Sequence, residues 1–327
     1  MPFFDLPLDE LRAYSPAMPE PPDLDAFWAT TLDETRAHDL APSFVPVATG
    51  LTVIETYDVT FAGFGGAPIK GWLHRPAGSP APLAAVVEYL GYGGGRGLPH
   101  ERTFFAQAGY VHLVMDTRGQ GSGWSRGDTP DPGGLGAPGG PGFLTRGLDD
   151  PADHYYRRVF ADAVRAVEAA AAFDGVDAAR IAVTGRSQGG ALSLAAASLA
   201  PDAVVGCAPD VPFLCDIERA IGLVDTEPYV EVPRYLSIHR DRVETALRTL
   251  RYVDAARLAR RASAPALFSV ALMDDVCPPS TVYAAFRAYG GPADLAEYPY
   301  NDHDGGGPVH EARQLDWLAR LFGSQGV

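Results

Sequence analysis

The sequence predicts an α/β fold with a mostly parallel central sheet flanked by helices. Strand-like runs alternate with helical patterns through most of the chain, which is the order that produces parallel sheets. Two of the runs, LAAVVEYL and YVHLVMD, are mostly apolar on consecutive residues, as expected of central strands covered on both faces. The 327 residues, 46% of them hydrophobic, can bury one large core, so we expect a single domain over residues 1–327.

The beginning of the chain predicts an N-terminal helical extension, residues 1–45. Asp23 can cap a helix whose apolar residues share one face, at positions i, i+3, i+4 and i+8: Leu24, Phe27, Trp28 and Leu32. From about residue 50 the pattern changes to short β-rich runs. The extension therefore precedes the main body of the fold.

The elements of the main body follow in order along the chain. Strand patterns occupy residues 51–61, 68–76, 83–90, 110–116, 180–185, 203–210, 265–274 and 295–300. Helical patterns occupy residues 155–173, 187–200, 279–290 and 308–322.

Two segments interrupt this alternation. Residues 211–262 are charge-rich and helical, and an insert of this kind in an α/β fold is expected to cover the ends of the strands as a helical cap. Residues 127–147 form a long Gly/Pro-rich loop without periodicity. Loops of that length are usually functional, interfacial or mobile.

Composition argues against several classes of protein. The 26 basic and 41 acidic side chains give a formal charge of −15, which disfavours binding to nucleic acid and to anionic membranes. The N-terminus lacks the basic region of a signal peptide, and no apolar run approaches the roughly 18 residues of a membrane span. The three cysteines, Cys207, Cys215 and Cys277, contain no CxxC pair, which disfavours a disulfide framework and a zinc site. We therefore expect a cytoplasmic protein without a metal.

The stretch from Gly185 to Gly189 indicates a nucleophile. It matches G-x-S-x-G between a predicted strand and a predicted helix, which is the context that this pattern requires. The glycines permit a sharp turn that lifts the Ser187 hydroxyl above the sheet edge, and the helix N-terminus supplies free N–H groups. Ser187 is therefore the candidate nucleophile, and the alternative is a chance match in a chain with 36 glycines.

A serine nucleophile needs a base and an acid that orients the base. In sheets of this type they follow the serine in the order acid, then histidine, at strand ends. The predicted strand 265–274 ends at Asp274, which we favour over Asp275 because successive side chains of a strand point to opposite faces. The alternative stays open that both acids only end the strand and cap the helix that begins near Ser280.

Two histidines are candidates for the base. His303 comes three residues after the next predicted strand and just before three glycines, which can take almost any backbone angle. His310 lies in the last helix, where the predicted buried stripe consists of apolar residues: Leu315, Leu318, Ala319 and Phe322. His310 falls about 140° away from that stripe. We therefore expect His303 to be the base and His310 to face solvent or an interface.

An oxyanion hole needs two N–H donors. One is expected from Gln188, which follows the nucleophile, and the other from the loop after an early strand, where Leu90, Gly91 and Tyr92 follow the run LAAVVEY. The glycine run after Tyr92 lacks both a Walker lysine and the G-x-G-x-x-G pattern that opens a helix, which disfavours phosphate binding. A glycine loop without function remains an alternative.

Taken together, the motifs resemble the acetyl xylan esterase and cephalosporin-C deacetylase family, the seventh carbohydrate esterase family. The likeness runs from FFDLPLDEL to the last helix and includes RGQGSG, GRSQGG, DVPFLCDIERA, LMDDVCPPSTV and YPYNDHDGGG. It implies the α/β-hydrolase fold and an intracellular enzyme, without metal or cofactor, that removes acetyl groups from xylo-oligosaccharides and cephalosporin C. It also implies a hexamer, assembled as a trimer of dimers around an internal cavity.

The resemblance further implies roles for individual residues. It assigns the catalytic triad to Ser187, Asp274 and His303 and the oxyanion hole to the N–H groups of Tyr92 and Gln188. Around a small acyl pocket, beside Tyr92, it places three more residues: Phe213, Val276 and Cys277.

Two positions depart from the family pattern. The family has His-Glu in the catalytic loop, whereas His303 is followed by Asp304. The family has His-Gly before the oxyanion tyrosine, whereas this chain has Leu90-Gly91. Neither change removes a triad member or a backbone donor, so we expect activity to persist with an altered substrate preference.

The leading hypothesis is a serine esterase that deacetylates small alcohol esters. One alternative is a hydrolase of the same fold that acts on longer-chain esters or peptide bonds, and another is a catalytically silent binding protein. The expected partners are a small acetylated substrate and further copies of the chain. Besides the resemblance, the loop at 127–147 and a predicted outward position of Trp317 favour an oligomer.

Overall fold

Nine strands form one sheet in the part of the chain that the structure describes. A computed structural model describes residues 3–80, 82–132 and 142–323. The strands are β1 (Ser43–Val47), β2 (Ile54–Ala62), β3 (Pro68–Pro76), β4 (Leu83–Tyr89), β5 (Val111–Met115), β6 (Val176–Arg186), β7 (Gly206–Asp210), β8 (Ala266–Ala271) and β9 (Ala293–Tyr298). Their order in the sheet is β1-β2-β3-β5-β4-β6-β7-β8-β9.

The sheet changes from antiparallel to parallel at β5. Strands β1, β2, β3 and β5 pair antiparallel in that order. Strands β5, β4, β6, β7, β8 and β9 pair parallel, which confirms the predicted mostly parallel sheet. Since β4 pairs with both β5 and β6, the chain order reverses beside it. The carboxyl ends of β4 and β6 therefore border the kind of crevice in which α/β sheets bind ligands.

Helices cover both faces of the sheet. In the described residues they are α1 (Leu8–Ala13), α2 (Leu24–Arg36), α3 (Phe104–Gln107), α4 (Tyr155–Ala171), α5 (Gln188–Leu199), α6 (Ile217–Leu223), α7 (Glu231–Ile238), α8 (Val243–Tyr252), α9 (Ala255–Leu258), α10 (Pro279–Ala288) and α11 (Gly307–Phe322). On β4, Ala85 and Val87 belong to the large core that includes α4 and α5, whereas Ala84 and Val86 pack with α3 and α11. The central strands are thus covered on both faces, as their apolar runs predict. None of these helices has the length and apolar character needed to cross a bilayer.

The helical insert and the N-terminal helices pack against each other. Residues 211–262 contain α6 to α9, and Glu227 and Pro228 between α6 and α7 line the cavity at the strand ends. The Trp28 indole N–H of α2 donates a hydrogen bond to the carbonyl of Tyr252 at 3.0 Å. The N-terminal segment therefore braces the insert over the sheet.

Two short elements were not indicated by the sequence pattern. Strand β1 lies at the edge of the sheet just where the predicted helical extension ends, and its five residues, with Pro46 among them, are mostly exposed. Helix α3 has only four residues. Neither element is long enough to show a hydrophobic period, which is why periodicity does not detect them.

The predicted buried stripe of the last helix is only partly right: Leu318 is buried, and Leu315 and Phe322 are partly buried against the core. Ala319 is exposed, whereas five residues of α11 are buried: Gly307, His310, Gln314, Trp317 and Leu318. Trp317 retains 7% exposure and packs against the strands, so it offers no outward surface for an oligomer. Two of the buried residues are polar, and each has a hydrogen-bond partner on the sheet: His310 Nδ1 contacts the Tyr298 hydroxyl at 3.1 Å, and Gln314 contacts the Thr184 hydroxyl at 3.5 Å. A stripe chosen for apolar residues alone omits such positions.

Candidate active site

Ser187 occupies a strained turn between β6 and α5. Its φ and ψ angles are 59° and −117°, a region that side-chain-bearing residues rarely adopt. The backbone is held in place because its N–H donates to the carbonyl of Asp210 at 2.9 Å and its carbonyl accepts from Phe213 N–H at 2.9 Å. The predicted nucleophile therefore has the backbone geometry expected of a serine presented at a sheet edge.

The flanking glycines are required by close packing. A Cβ atom on Gly185 would lie 2.5 Å from the carbonyl oxygen of Tyr89 at the end of β4, and one on Gly189 would overlap the same oxygen. The turn that carries Ser187 consequently sits directly against the end of β4. This packing brings Ser187 beside the loop that follows β4, where the second oxyanion donor is predicted.

Asp274 and His303 lie together, as predicted for an acid and a base. The buried carboxylate of Asp274 contacts His303 Nδ1 through Oδ2 at 2.9 Å. Its other oxygen accepts the N–H groups of Val276 and Cys277, both at 2.9 Å. The cap of α10 is Pro278, and neither acid caps that helix through a side-chain hydrogen bond. The carboxylate is thus oriented on one side by backbone and on the other by the imidazole.

His303 shares a cavity with Ser187. Its side chain is 29% exposed, and the three glycines that follow, Gly305 to Gly307, all have positive φ angles. The Ser187 hydroxyl contacts the Cys277 thiol at 3.9 Å, rather than the His303 ring. Serine and histidine bonds in ligand-free sites often tighten only when substrate binds.

His310 occupies a different environment from the one predicted. It is buried, its Nδ1 contacts the Tyr298 hydroxyl, and burial lowers its pKa. The expectation that His310 faces solvent or an interface is therefore wrong. It is absent from the cavity lining that includes Ser187 and His303, so its position also gives it no access to the site.

The two predicted oxyanion donors belong to segments that one buried glutamine connects. The Gln120 side chain accepts the Gly93 N–H at 2.7 Å and donates to Gln188 Oε1 at 2.8 Å. The Gln188 amide donates in turn to the carbonyl of Leu90 at 3.1 Å. Gln188 is the first residue of α5, so its own N–H has no partner within the helix. The loop of Tyr92 and the start of α5 are thus locked to each other.

Tyr92 is held at both its backbone and its side chain. Its carbonyl accepts the Trp124 indole N–H at 2.8 Å, and its hydroxyl donates to the Glu231 carboxylate of α7. The hydroxyl also accepts the N–H of Phe143 at 2.5 Å. Trp124, Gln120 and Glu231 were not singled out from the sequence, although Gln120 lies in the RGQ segment of the resemblance.

A cavity of about 750 Å³ opens at the ends of the parallel strands. Its lining includes four of the predicted site residues, Ser187, Tyr92, His303 and Val276, and also Trp124, Arg186, Arg102, Glu88, Glu227 and Pro228.

Two of the predicted pocket residues lie behind the cavity wall. Phe213 and Cys277 are fully buried, and the Phe213 ring meets the Tyr92 ring edge-on at 6.2 Å. Burial raises the pKa of the Cys277 thiol, so it stays protonated near Ser187. In the described ranges, no cluster of three or more His, Cys, Asp or Glu side chains could hold a metal ion.

Comparisons with known proteins identify the family. The sequence profile of the acetyl xylan esterase (AXE1) family matches residues 1–321. The chain therefore belongs to the acetyl xylan esterase family. The solved acetyl xylan esterase from Paenibacillus sp. R4 is 36% identical with a TM-score of 0.91, over 96% of this chain and 99% of that one. Acetyl xylan esterase 1 from Thermoanaerobacterium sp. JW/SL YS485 is 34% identical with a TM-score of 0.88, over 98% and 100% of the two chains.

A curated relative in the same family is longer than this chain. The acetyl esterase Axe7A of Xylanibacter ruminicola is 28% identical over 304 residues, which is 88% of this chain. The chain spans 64% of that protein's length.

The two positions at which this acetyl xylan esterase family member departs from the family pattern, Asp304 and Leu90, have local explanations. The Asp304 carboxylate receives the Asn301 amide at 3.1 and 3.3 Å, so it braces the exposed loop that carries His303. Leu90 is buried, and its contact with Gln188 uses its carbonyl oxygen, which any residue provides. Neither substitution disturbs the contact between Asp274 and His303.

Proposed function

We propose that the protein is a serine esterase that removes acetyl groups from small alcohol esters through an acetyl-enzyme intermediate. The expected substrates are acetylated xylo-oligosaccharides and cephalosporin C. The observation that carries the proposal is a strained serine turn that opens into the same cavity as a histidine bound to a buried carboxylate. Membership of the acetyl xylan esterase family supports the acetyl ester as the bond that is cleaved.

The proposed reaction proceeds in two halves. The Ser187 oxygen bonds to the acetyl carbonyl carbon while His303 takes the serine proton, and the N–H groups of Tyr92 and Gln188 stabilise the oxyanion. Asp274 holds the His303 tautomer that exposes Nε2 to the serine. His303 then gives its proton to the departing alcohol oxygen as the carbon–oxygen ester bond breaks. Water attacks the acetyl-enzyme by the same route, which releases acetate and restores Ser187.

The proposed preference for a short acyl group follows from what surrounds the serine. Val276 lines the cavity, and Phe213 and Cys277 fill the volume behind it, so the room beside Ser187 is limited. The remainder of the cavity is large enough for a sugar or another bulky alcohol portion. The chemistry needs neither a metal nor a cofactor, because serine, histidine and the backbone donors supply every step.

We further propose a single domain over residues 1–327 with residues 211–262 as its cap, a cytoplasmic location and a homo-oligomer, the hexamer of the family. Trp317 is buried and does not support the oligomer, and residues 133–141 of the loop at 127–147 lie outside the described residues, so the proposal rests on the family resemblance. Light scattering at micromolar concentration tests it, and a monomeric mass would contradict it.

The proposed function is tested by Ser187→Ala with p-nitrophenyl acetate as substrate. We expect the variant to lose nearly all activity, about 10⁴-fold or more in kcat. A series from acetate to octanoate tests the acyl preference, and a higher kcat/KM for butyrate would favour a longer-chain esterase. Labelling of the folded protein by a fluorophosphonate, abolished in the variant, separates an enzyme from a silent binding protein.

A further inference from the structure

We propose that Glu231 is a positioning residue for the oxyanion hole: its carboxylate holds the Tyr92 side chain and thereby fixes the Tyr92 N–H at the end of β4. The inference rests on the proposed function, since it assigns a role within that reaction. Glu231 lies on the helical insert, 139 residues from Tyr92 in sequence.

The Glu231 carboxylate joins three separate segments. The Tyr92 hydroxyl, from the loop after β4, donates to Oε1. The N–H of Leu144 donates to Oε2 at 2.9 Å, and the neighbouring Phe143 N–H donates to the Tyr92 hydroxyl at 2.5 Å. Glu231 itself begins α7 and is 5% exposed. Each carboxylate oxygen therefore has a donor, and the tyrosine hydroxyl both donates and accepts.

This arrangement restrains the Tyr92 side chain, whereas the other two contacts of this loop hold its backbone. Trp124 holds the Tyr92 carbonyl, and Gln120 holds the next N–H, that of Gly93. Glu231 fixes the side chain between them, so rotation of Tyr92 about its own backbone is opposed at three points. An oxyanion donor is effective only when it is aimed in advance at the developing charge. Loss of the Glu231 contact should therefore reduce turnover more than substrate binding.

The charge on Glu231 can change within the working range of an esterase. Burial raises the pKa of Glu231 to about 7. Glu227 raises that pKa further, whereas the Tyr92 hydroxyl, the Leu144 N–H and, at longer range, Arg146 lower it. Tyr156 also interacts electrostatically with the carboxylate, and burial raises its pKa, so it stays neutral. His154 contacts the carbonyl of Leu144, and burial lowers the pKa of His154 to about 4, so it is neutral in this range as well.

Protonation of Glu231 should weaken the restraint on Tyr92. The ionised carboxylate accepts hydrogen bonds at both oxygens, whereas a protonated carboxyl must donate from one of them. A glutamine has the same limitation at every pH, because its amide end is a donor. The matched variant is therefore Glu231→Gln, which imitates the protonated form with almost the same shape.

The test compares kcat and KM for p-nitrophenyl acetate between about pH 6 and pH 9. For Glu231→Gln we expect kcat about tenfold below that of the unmodified protein at the alkaline end, with KM within about twofold. The ratio of the two kcat values should approach one at the acid end, where both proteins carry an uncharged group. Tyr92→Phe should lower kcat by a similar factor. The kcat of the double variant should not fall below that of the less active single variant, because both changes remove the same hydrogen bond.

The control variant is Asp149→Asn. It breaks the ion pair with Arg242 at 2.8 Å, which also joins the insert to the body of the protein but contacts no site residue. We expect its kcat to be unchanged.

Two results would overturn the inference. One is normal kcat in Tyr92→Phe, which decides the matter even if Glu231→Gln does not fold. The other is a ratio for Glu231→Gln that is constant with pH, which would indicate a merely structural role. Either result would contradict only the role of Glu231. The proposed function would be contradicted by a different result, namely activity that survives Ser187→Ala.

Discussion

The two sides of the site are held in opposite ways. On the oxyanion side, Gln120, Gln188 and Glu231 reach from distant parts of the chain and leave the ends of β4 and β6 closely tied. On the base side, His303 is partly exposed on a glycine-rich loop, and its side chain contacts Asp274. Donors that stabilise a developing charge must be fixed beforehand. A base that takes a proton from serine and passes it to the leaving group needs one firm anchor and some freedom.

The largest effect is expected from breaking that anchor with Asp274→Asn. The amide would present a donor to His303 Nδ1 and favour the wrong tautomer of the imidazole, while the backbone contacts of Val276 and Cys277 could persist. We expect kcat for p-nitrophenyl acetate to fall about 10³-fold or more. The neighbouring variant Asp275→Asn should stay within about twofold of normal. Comparable losses in the two would refute the choice of Asp274.

Next in size is Gln120→Met, which loosens the oxyanion side without changing side-chain length. The Gly93 N–H and the Gln188 side chain would each lose a partner. We expect kcat to fall about 10- to 100-fold, and the free energy of unfolding to fall by about 1–3 kcal/mol because buried polar groups become unpaired. The exposed Gln107→Met serves as the control, measured by the same assay and by thermal unfolding. An unchanged kcat with reduced stability would separate Gln120 from the oxyanion hole.

The sequence predicts the residues of the base side and the backbone donors of the oxyanion side because they lie at strand ends. Ser187, Asp274 and His303 each follow a strand, and parallel strands end at one edge of a sheet, so apolar runs are enough to predict that these residues meet. The described sheet confirms the fold class that the apolar runs predict, while the catalytic roles remain predictions. Glu231 and Trp124 lie outside any strand or clear periodic pattern, and their contacts depend on how remote segments pack.

The error in the last helix has the same origin. His310 and Gln314 are buried because Tyr298 and Thr184 offer them hydrogen bonds across the sheet. A hydrophobic pattern records only the residues that avoid water, so it excludes polar side chains that are buried with a partner.

A smaller effect is expected from stiffening the base side with Gly305→Ala. Gly305 has a φ angle of 62°, and an added Cβ would lie 2.5 Å from an Asp210 carboxylate oxygen. The loop should shift by a fraction of an ångström, which lowers kcat about tenfold through misplacement of His303. Gly323→Ala is the control, since it has a similar φ of 73° but no neighbour within 4 Å. Equal kinetics of the two variants would show that the loop tolerates the shift.

The smallest effect on turnover is expected from His310→Gln, which tests whether the second histidine is structural. We expect kcat within about twofold of normal, because His310 lies outside the cavity. Its effect should appear in stability instead. Burial lowers the pKa of His310 in the folded protein, whereas the unfolded chain takes up the proton near pH 6.5.

Stability contributed by this histidine is therefore complete above about pH 6.5 and is lost as the pH falls below it, since only the unfolded state gains the proton. His74 and His154, whose pKa values burial lowers to about 3 and about 4, act in the same direction and remain in both proteins. The decrease in Tm between about pH 7.5 and pH 5.5 should consequently be smaller in the variant. An unchanged decrease would mean that His310 takes up its proton at the same pH in the folded and the unfolded protein. A loss of turnover as large as that of His303→Gln would return the choice of base to an open question.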